Sequence, residues 1–106
     1  MLPALKVALH GIAAPEASIR AMQRELAQLS ARDPAITGGR FTLANCGPEV
    51  VEAHLELLLP RHQVIVNAVA TAERSVREVF ARAAERLALV ACRDPAIAPT
   101  ERAKAA

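Results

Sequence analysis

Between Thr71 and Cys92 the apolar side chains recur in steps of three and four: Val76, Val79, Phe80, Ala83, Leu87 and Val90. At 100° per residue they share one face of a helix, and Arg74, Arg77, Glu78, Arg82, Glu85 and Arg86 share the other. An earlier stripe, Ile19, Met22, Leu26 and Leu29, has the same period, with Arg20, Gln23, Arg24 and Gln28 turned outward. Pro15 suits the first turn of that helix. Its end falls near Arg32-Asp33-Pro34, because proline disfavours helical geometry in the residue before it. Thr71 and Ser75 are both candidate caps for the last helix, since Ser75 to Glu78 has capping-box spacing.

Elsewhere the period is two. Leu5, Val7 and Leu9 alternate with Lys6, Ala8 and His10, which predicts a half-buried strand ended by Gly11. Arg40 to Ala44 reads as a short strand with Phe41 and Leu43 on one face, followed by the turn cluster Asn45-Cys46-Gly47-Pro48. Val51 to Leu59 places Leu55, Leu57 and Leu59 opposite His54, Glu56 and Leu58. Leu59-Pro60-Arg61-His62 fits a tight turn with proline second. Gln63 to Ala68 then continues as a strand with Val64 and Val66 inward. The order is βαβββα, an α+β fold. Its economical form is a four-stranded mixed sheet with both helices packed on one face. The first strand pair is parallel across a right-handed crossover, and the last three strands form an antiparallel meander. One alternative makes Leu87 to Cys92 a fifth strand in a ferredoxin-like arrangement, since short apolar runs have an ambiguous period. The expected domain covers residues 1–94, with residues 95–106 as a loose tail.

Composition narrows the function classes. A chain of 106 residues holds one core, and 24 of its residues are alanine, so each large apolar side chain counts. The net charge of +2 is too small to argue by itself for a nucleic-acid partner. Cys46 and Cys92 lack CxxC spacing, the start at Met1-Leu2-Pro3 does not read as a signal peptide, and no run approaches the roughly 20 apolar residues of a membrane span. The expectation is a cytoplasmic protein with reduced thiols and no membrane contact.

No constellation of catalytic residues stands out. His54-Leu55-Glu56 has the H-x-E spacing of zinc deaminases, yet the required Pro-Cys-x-x-Cys is absent. On a strand, His54 and Glu56 simply share an outward face. His10 and His62 show no ligand spacing, Cys46 has no evident base, and Gly38-Gly39 does not belong to a phosphate loop. The reading is therefore not an enzyme, with no cofactor, no metal and no evident small-molecule substrate. Tyrosine and tryptophan are absent and both phenylalanines belong to apolar stripes, which argues against RNA recognition by stacking.

Two surfaces remain. If the helices lie side by side, their arginines form a basic strip suited to phosphates. The bland alternative is a solvated face, because Glu16, Glu25, Glu78 and Glu85 interrupt the strip. On the sheet face away from the helices, Leu58 and Ile65 would form a modest patch for self-association as a homodimer, or else simple surface scatter.

Leu5-Lys6-Val7-Ala8-Leu9-His10-Gly11, the span from Leu26 through Leu29 to Ile36, Val64-Ile65-Val66-Asn67, and Val76-Arg77-Glu78-Val79-Phe80 continuing to Leu87 carry a resemblance. Together they resemble the ribosome hibernation promoting factor family, also described as ribosome-associated inhibitor or sigma-factor modulation proteins. The resemblance implies the same βαβββα order, no catalysis and no cofactor. It also implies a small-subunit ribosome binder that occupies the mRNA and tRNA channel and limits translation under stress. The chain departs from the family pattern at Gln28-Leu29, where Lys-Leu is typical, and at Ala84-Glu85, where two basic residues are typical. Each departure removes positive charge. The first hypothesis is thus rRNA binding through Arg20, Arg24, Arg74, Arg77, Arg82 and Arg86. The second is a protein–protein module that uses the Leu58 and Ile65 face.

Overall fold

Periodicity and proline placement set the element boundaries in the computed structural model, which describes residues 4–13 and 15–93. The expected tail at 95–106 lies outside the described residues. Helix α1 (Glu16–Arg32) begins where the Pro15 carbonyl accepts the Ile19 N–H at 2.8 Å. It ends where the Asp33 N–H donates to the Leu29 carbonyl, just ahead of Pro34. Helix α2 (Ala72–Arg93) begins with the Ser75 N–H donating to the Thr71 carbonyl at 2.8 Å, so the earlier of the two candidate caps is the one used. Ser75 lies inside the first turn, fully buried, and its hydroxyl donates back to the Ala72 carbonyl at 2.8 Å. Leu87 to Cys92 forms the last turns of α2 and not a fifth strand, because the stripe through Leu87 and Val90 keeps the helical period.

The sheet has the order β1 (Ala4–His10), β2 (Gly38–Gly47), β3 (Val50–Leu59), β4 (His62–Ala70). β1 and β2 are parallel, while β2–β3 and β3–β4 are antiparallel. β2 is longer than its apolar alternation indicates. Asn45, Cys46 and Gly47 stay in the strand, and the register shifts between Asn45 and Gly47 to absorb one extra residue as a bulge. The turn itself is only Pro48-Glu49. Pro60-Arg61 closes the next hairpin in the same way, and both second residues have positive φ, 57° at Glu49 and 69° at Arg61. Proline followed by a left-handed residue is the signature of a type II turn.

One core joins both helices to the inward strand faces, so the helices lie on the same side of the sheet. Phe41, Leu43, Leu55 and Leu57 from the sheet meet Val76, Val79, Phe80 and Leu87 from α2 and Met22, Leu26 and Leu29 from α1. The two phenylalanine rings sit 6.2 Å apart with their planes at 39°, a tilted contact that ties β2 to α2. The core thins toward β1. Val7 and Leu9 face the same side as their partners Phe41 and Leu43, yet they are 42% and 38% exposed. Among the described residues, no helix is long and apolar enough to cross a membrane.

Candidate nucleic-acid interface

The helical layer presents its arginines outward because the buried stripes leave them nowhere else to go. Arg20 and Arg24 lie one turn apart on the exposed face of α1. On α2 the arginines divide between two flanks. Arg77 stands on the flank that also carries Ala81 and Ala84. There the two helices leave a groove of about 160 Å³, lined by Glu25, Gln28 and Arg32 from α1. Arg82 and Arg86 stand on the opposite flank, against the outer edge of β4. The Arg82 guanidinium donates to the Asn67 carbonyl there. Arg86 joins Leu89 and Val90 in lining a depression of about 140 Å³ against Gln63, Val64 and Ile65.

The six sequence-selected arginines are thus all exposed, but they do not share one flank. The structure brings Arg20 to Arg24 and Arg82 to Arg86, and leaves Arg77 apart from them, exposed on the α2 flank nearer α1. Arg74 is held by Glu78 four residues on, with its Nε 3.0 Å from the carboxylate. Among exposed ion pairs such a contact contributes about 0.3–0.5 kcal/mol, so it yields readily to a stronger anion. Guanidinium groups suit that exchange, since their planar fork matches two phosphate oxygens. Exposed Glu16, Glu73 and Glu85 break up the positive field. Sequence reasoning missed Arg32, which belongs to the groove; its signal was its place in the last turn of α1, where a cation also complements the helix dipole.

The opposite side of the sheet is flat and mixed. His54 and Glu56 point outward together from β3, as alternation requires. Glu56 accepts a hydrogen bond from the Gln63 side chain at 3.0 Å and approaches Arg40 at 4.0 Å. Glu52 accepts one from Asn67 at 3.2 Å. Both carboxylates are therefore engaged by neighbours on the sheet, and no arrangement for general acid–base chemistry emerges from them. Leu58 and Ile65 are 45% and 49% exposed on this face, and Val69, which lies past the expected end of its strand, is 53% exposed. Cys46 is exposed in the bulge, which Asn45 braces by accepting the Gly47 N–H at 2.9 Å. Cys92 is exposed on α2. Among the described residues no three His, Cys, Asp or Glu side chains gather in a way that would hold a metal ion.

No protein-family model matches this sequence. No curated protein matches it either. Solved structures do match the fold. The Thermus thermophilus Protein Y N-terminal domain aligns at a TM-score of 0.69 and 16% identity, covering 80% of this chain and 94% of its own. A ribosomal subunit interface protein from Coxiella burnetii aligns at a TM-score of 0.72 and 10% identity, covering 84% of this chain and 98% of its own. Both neighbours belong to the hibernation-factor family that the sequence resembles. At such identities the likeness establishes a shared fold.

Proposed function

We propose that this chain is a non-catalytic, cytoplasmic ribosome-associated protein that contacts small-subunit rRNA through the arginines of its helical layer and limits translation under stress. The observation that carries this reading is the fold, shared almost end to end with a protein whose name places it at the ribosomal subunit interface. The exposed arginines supply the chemistry. Arg20, Arg24, Arg77 and Arg86 reach outward, while Arg74 and Arg82 join only by exchanging the carboxylate and the carbonyl they hold.

The test is co-sedimentation with ribosomes across salt. Each neutralised phosphate releases counterions, with a slope of roughly −0.7 to −0.9 per contact in log affinity against log salt. About four contacts would then weaken binding by roughly 50- to 150-fold between about 50 and 200 mM salt. Replacing Arg20 and Arg24 together with alanine would lower the steepness of that slope by roughly 1.4–1.8. Absence of binding at the lower salt, or binding indifferent to salt, overturns the reading.

A further inference from the structure

The open face of the sheet is ordered in a way that scattered surface residues are not. Strand register sets its side chains in rows, each running from β1 to β4. One row is Lys6, Arg40, Glu56 and Ile65; the next is Ala8, Thr42, His54 and Asn67. In the two end rows a small β2 residue stands beside a large β3 residue, Gly38 beside Leu58 and Ala44 beside Glu52. Apart from Lys6, His10 and Arg40, the β1–β2 half is low, built from Ala4, Ala8, Gly38, Thr42 and Ala44. The β3–β4 half is high, and its exposed apolar residues are Leu58, Ile65 and Val69. Charge is sorted the same way. Lys6 and Arg40 stand on the low half, and Glu52 and Glu56 stand on the high half, so the two signs balance while occupying different halves.

We propose that this face binds a second copy of the chain through a two-fold axis lying parallel to the strands between β2 and β3. Such an axis lays β1 over the partner's β4 and β2 over the partner's β3, row upon row. Arg40 then meets the partner's Glu56, and by symmetry Glu56 meets the partner's Arg40. Arg40 is free to do so, because its side chain is 58% exposed and its contact with its own Glu56 is 4.0 Å long. The partner's Leu58 falls over Gly38, at the margin of a depression of about 210 Å³ lined by Lys6, Gly39, Arg40, Glu56, Leu58 and Gln63. The partner's Ile65 covers the methylene stem of Lys6, whose amine reaches past it to water. In the two end rows Leu58 and Glu52 thus face the partner's Gly38 and Ala44, and in the Lys6 row Arg40 faces the partner's Glu56. Facing sheets settle at about 30° to each other, so the match is tightest in the central rows.

A nucleic acid is the poorer occupant, since Glu52 and Glu56 would repel its phosphates. The size of the face also sets the strength. Four strands about 4.8 Å apart, with about seven residues at roughly 3.3 Å each, make a surface of about 19 by 23 Å. Two copies then bury on the order of 900 Å², below the range of stable interfaces, so the dimer is weak and depends on concentration. It stands independently of ribosome binding, because the helical arginines take no part in it.

Light scattering from about 1 μM to about 1 mM brackets the dissociation constants expected of such an interface. The wild-type mass rises from one chain to two across that range, and Leu58→Glu weakens the dimer at least tenfold; Ile65→Lys, which sets a second ammonium against the partner's Lys6, repeats the test should Leu58→Glu disturb the fold. Arg40→Glu and Glu56→Arg each bring like charges together across the axis and stay monomeric. An equimolar mixture of those two variants forms a mixed dimer in native mass spectrometry, because every charge then meets its opposite in the other chain. Within each variant the contact between positions 40 and 56 remains like-charged, so recovery on mixing reports the contact between chains alone. A wild type that stays at one chain mass, a dimer indifferent to Leu58→Glu, a mass that rises only when RNA is added, or a mixture that stays monomeric overturns the proposal.

Discussion

At Gly39 a single methyl group would meet backbone. A Cβ built there overlaps the carbonyl oxygen of Glu56 and comes within 3.2 Å of Leu5 Cδ2, whereas at Gly38 its nearest neighbour is the Ala4 carbonyl oxygen at 3.2 Å. A carbonyl in a paired strand cannot move aside without disturbing the ladder. Gly39→Ala therefore costs roughly 1–3 kcal/mol, the range of overpacked sites, and Gly38→Ala costs clearly less. Urea midpoints measure the difference, and equal midpoints for the two variants would refute it. Phe80 offers the complementary case. It is 3% exposed, and its truncation to alanine costs roughly 3–5 kcal/mol. A double-mutant cycle with Phe41 isolates a coupling of about 0.5–1.5 kcal/mol for the tilted ring contact; a coupling near zero would leave the rings as independent fillers. These residues were unequally legible in the sequence. Phe41 and Phe80 announced themselves by period, because burial on one side of an element leaves a regular trace. The crowding at Gly39 left none, since it arises from how closely β3 approaches β2.

The turns between β2, β3 and β4 follow one rule, proline and then a residue with positive φ. The left-handed conformation costs an ordinary residue about 1–2 kcal/mol, and glycine gives back only about 0.5–1 kcal/mol of that through its freer unfolded chain. Arg61→Gly, at an exposed position with φ of 69°, is therefore expected to stabilise the protein by about 0.5 kcal/mol. For a domain of this size that is a rise of roughly 2–4 °C in Tm, and a calorimetric fall in Tm would show that the arginine side chain holds the turn. The order of elements and the inward side of every strand could be read from alternation and proline position. The ends could not. β2 ran three residues past Ala44 because the bulge at Cys46 lets turn-forming residues keep pairing. β4 ran on to Ala70, which placed Val69 on the open face unforeseen. The alternation of Leu5, Val7 and Leu9 was right about direction and silent about coverage, because Val7 and Leu9 on the edge strand are poorly covered. The sequence also presented the arginines of α2 as one face, and packing against β4 and α1 divided them between two flanks.

A net charge of +2 says little about this molecule because its charges are sorted by layer. The helical layer carries the arginines we propose for phosphate contact, and the far side of the sheet carries the balanced set we propose for a second chain. The sheet and the core lie between them, a separation of about 10 Å or more, which exceeds the Debye length of about 8 Å at physiological salt. The two surfaces should then fail separately. Leu58→Gln, chosen to leave the charge unchanged, abolishes the rise in mass with concentration while preserving both ribosome co-sedimentation and its salt slope. The Arg20→Ala, Arg24→Ala double variant does the reverse, flattening the salt slope and leaving the dimer intact. If Leu58→Gln instead weakened ribosome binding as much as the arginine pair does, the sheet face would itself be the ribosomal contact. Its balanced charge would then have to be met by ribosomal protein and not by rRNA, and the assignment of phosphate contacts to the helices would fall.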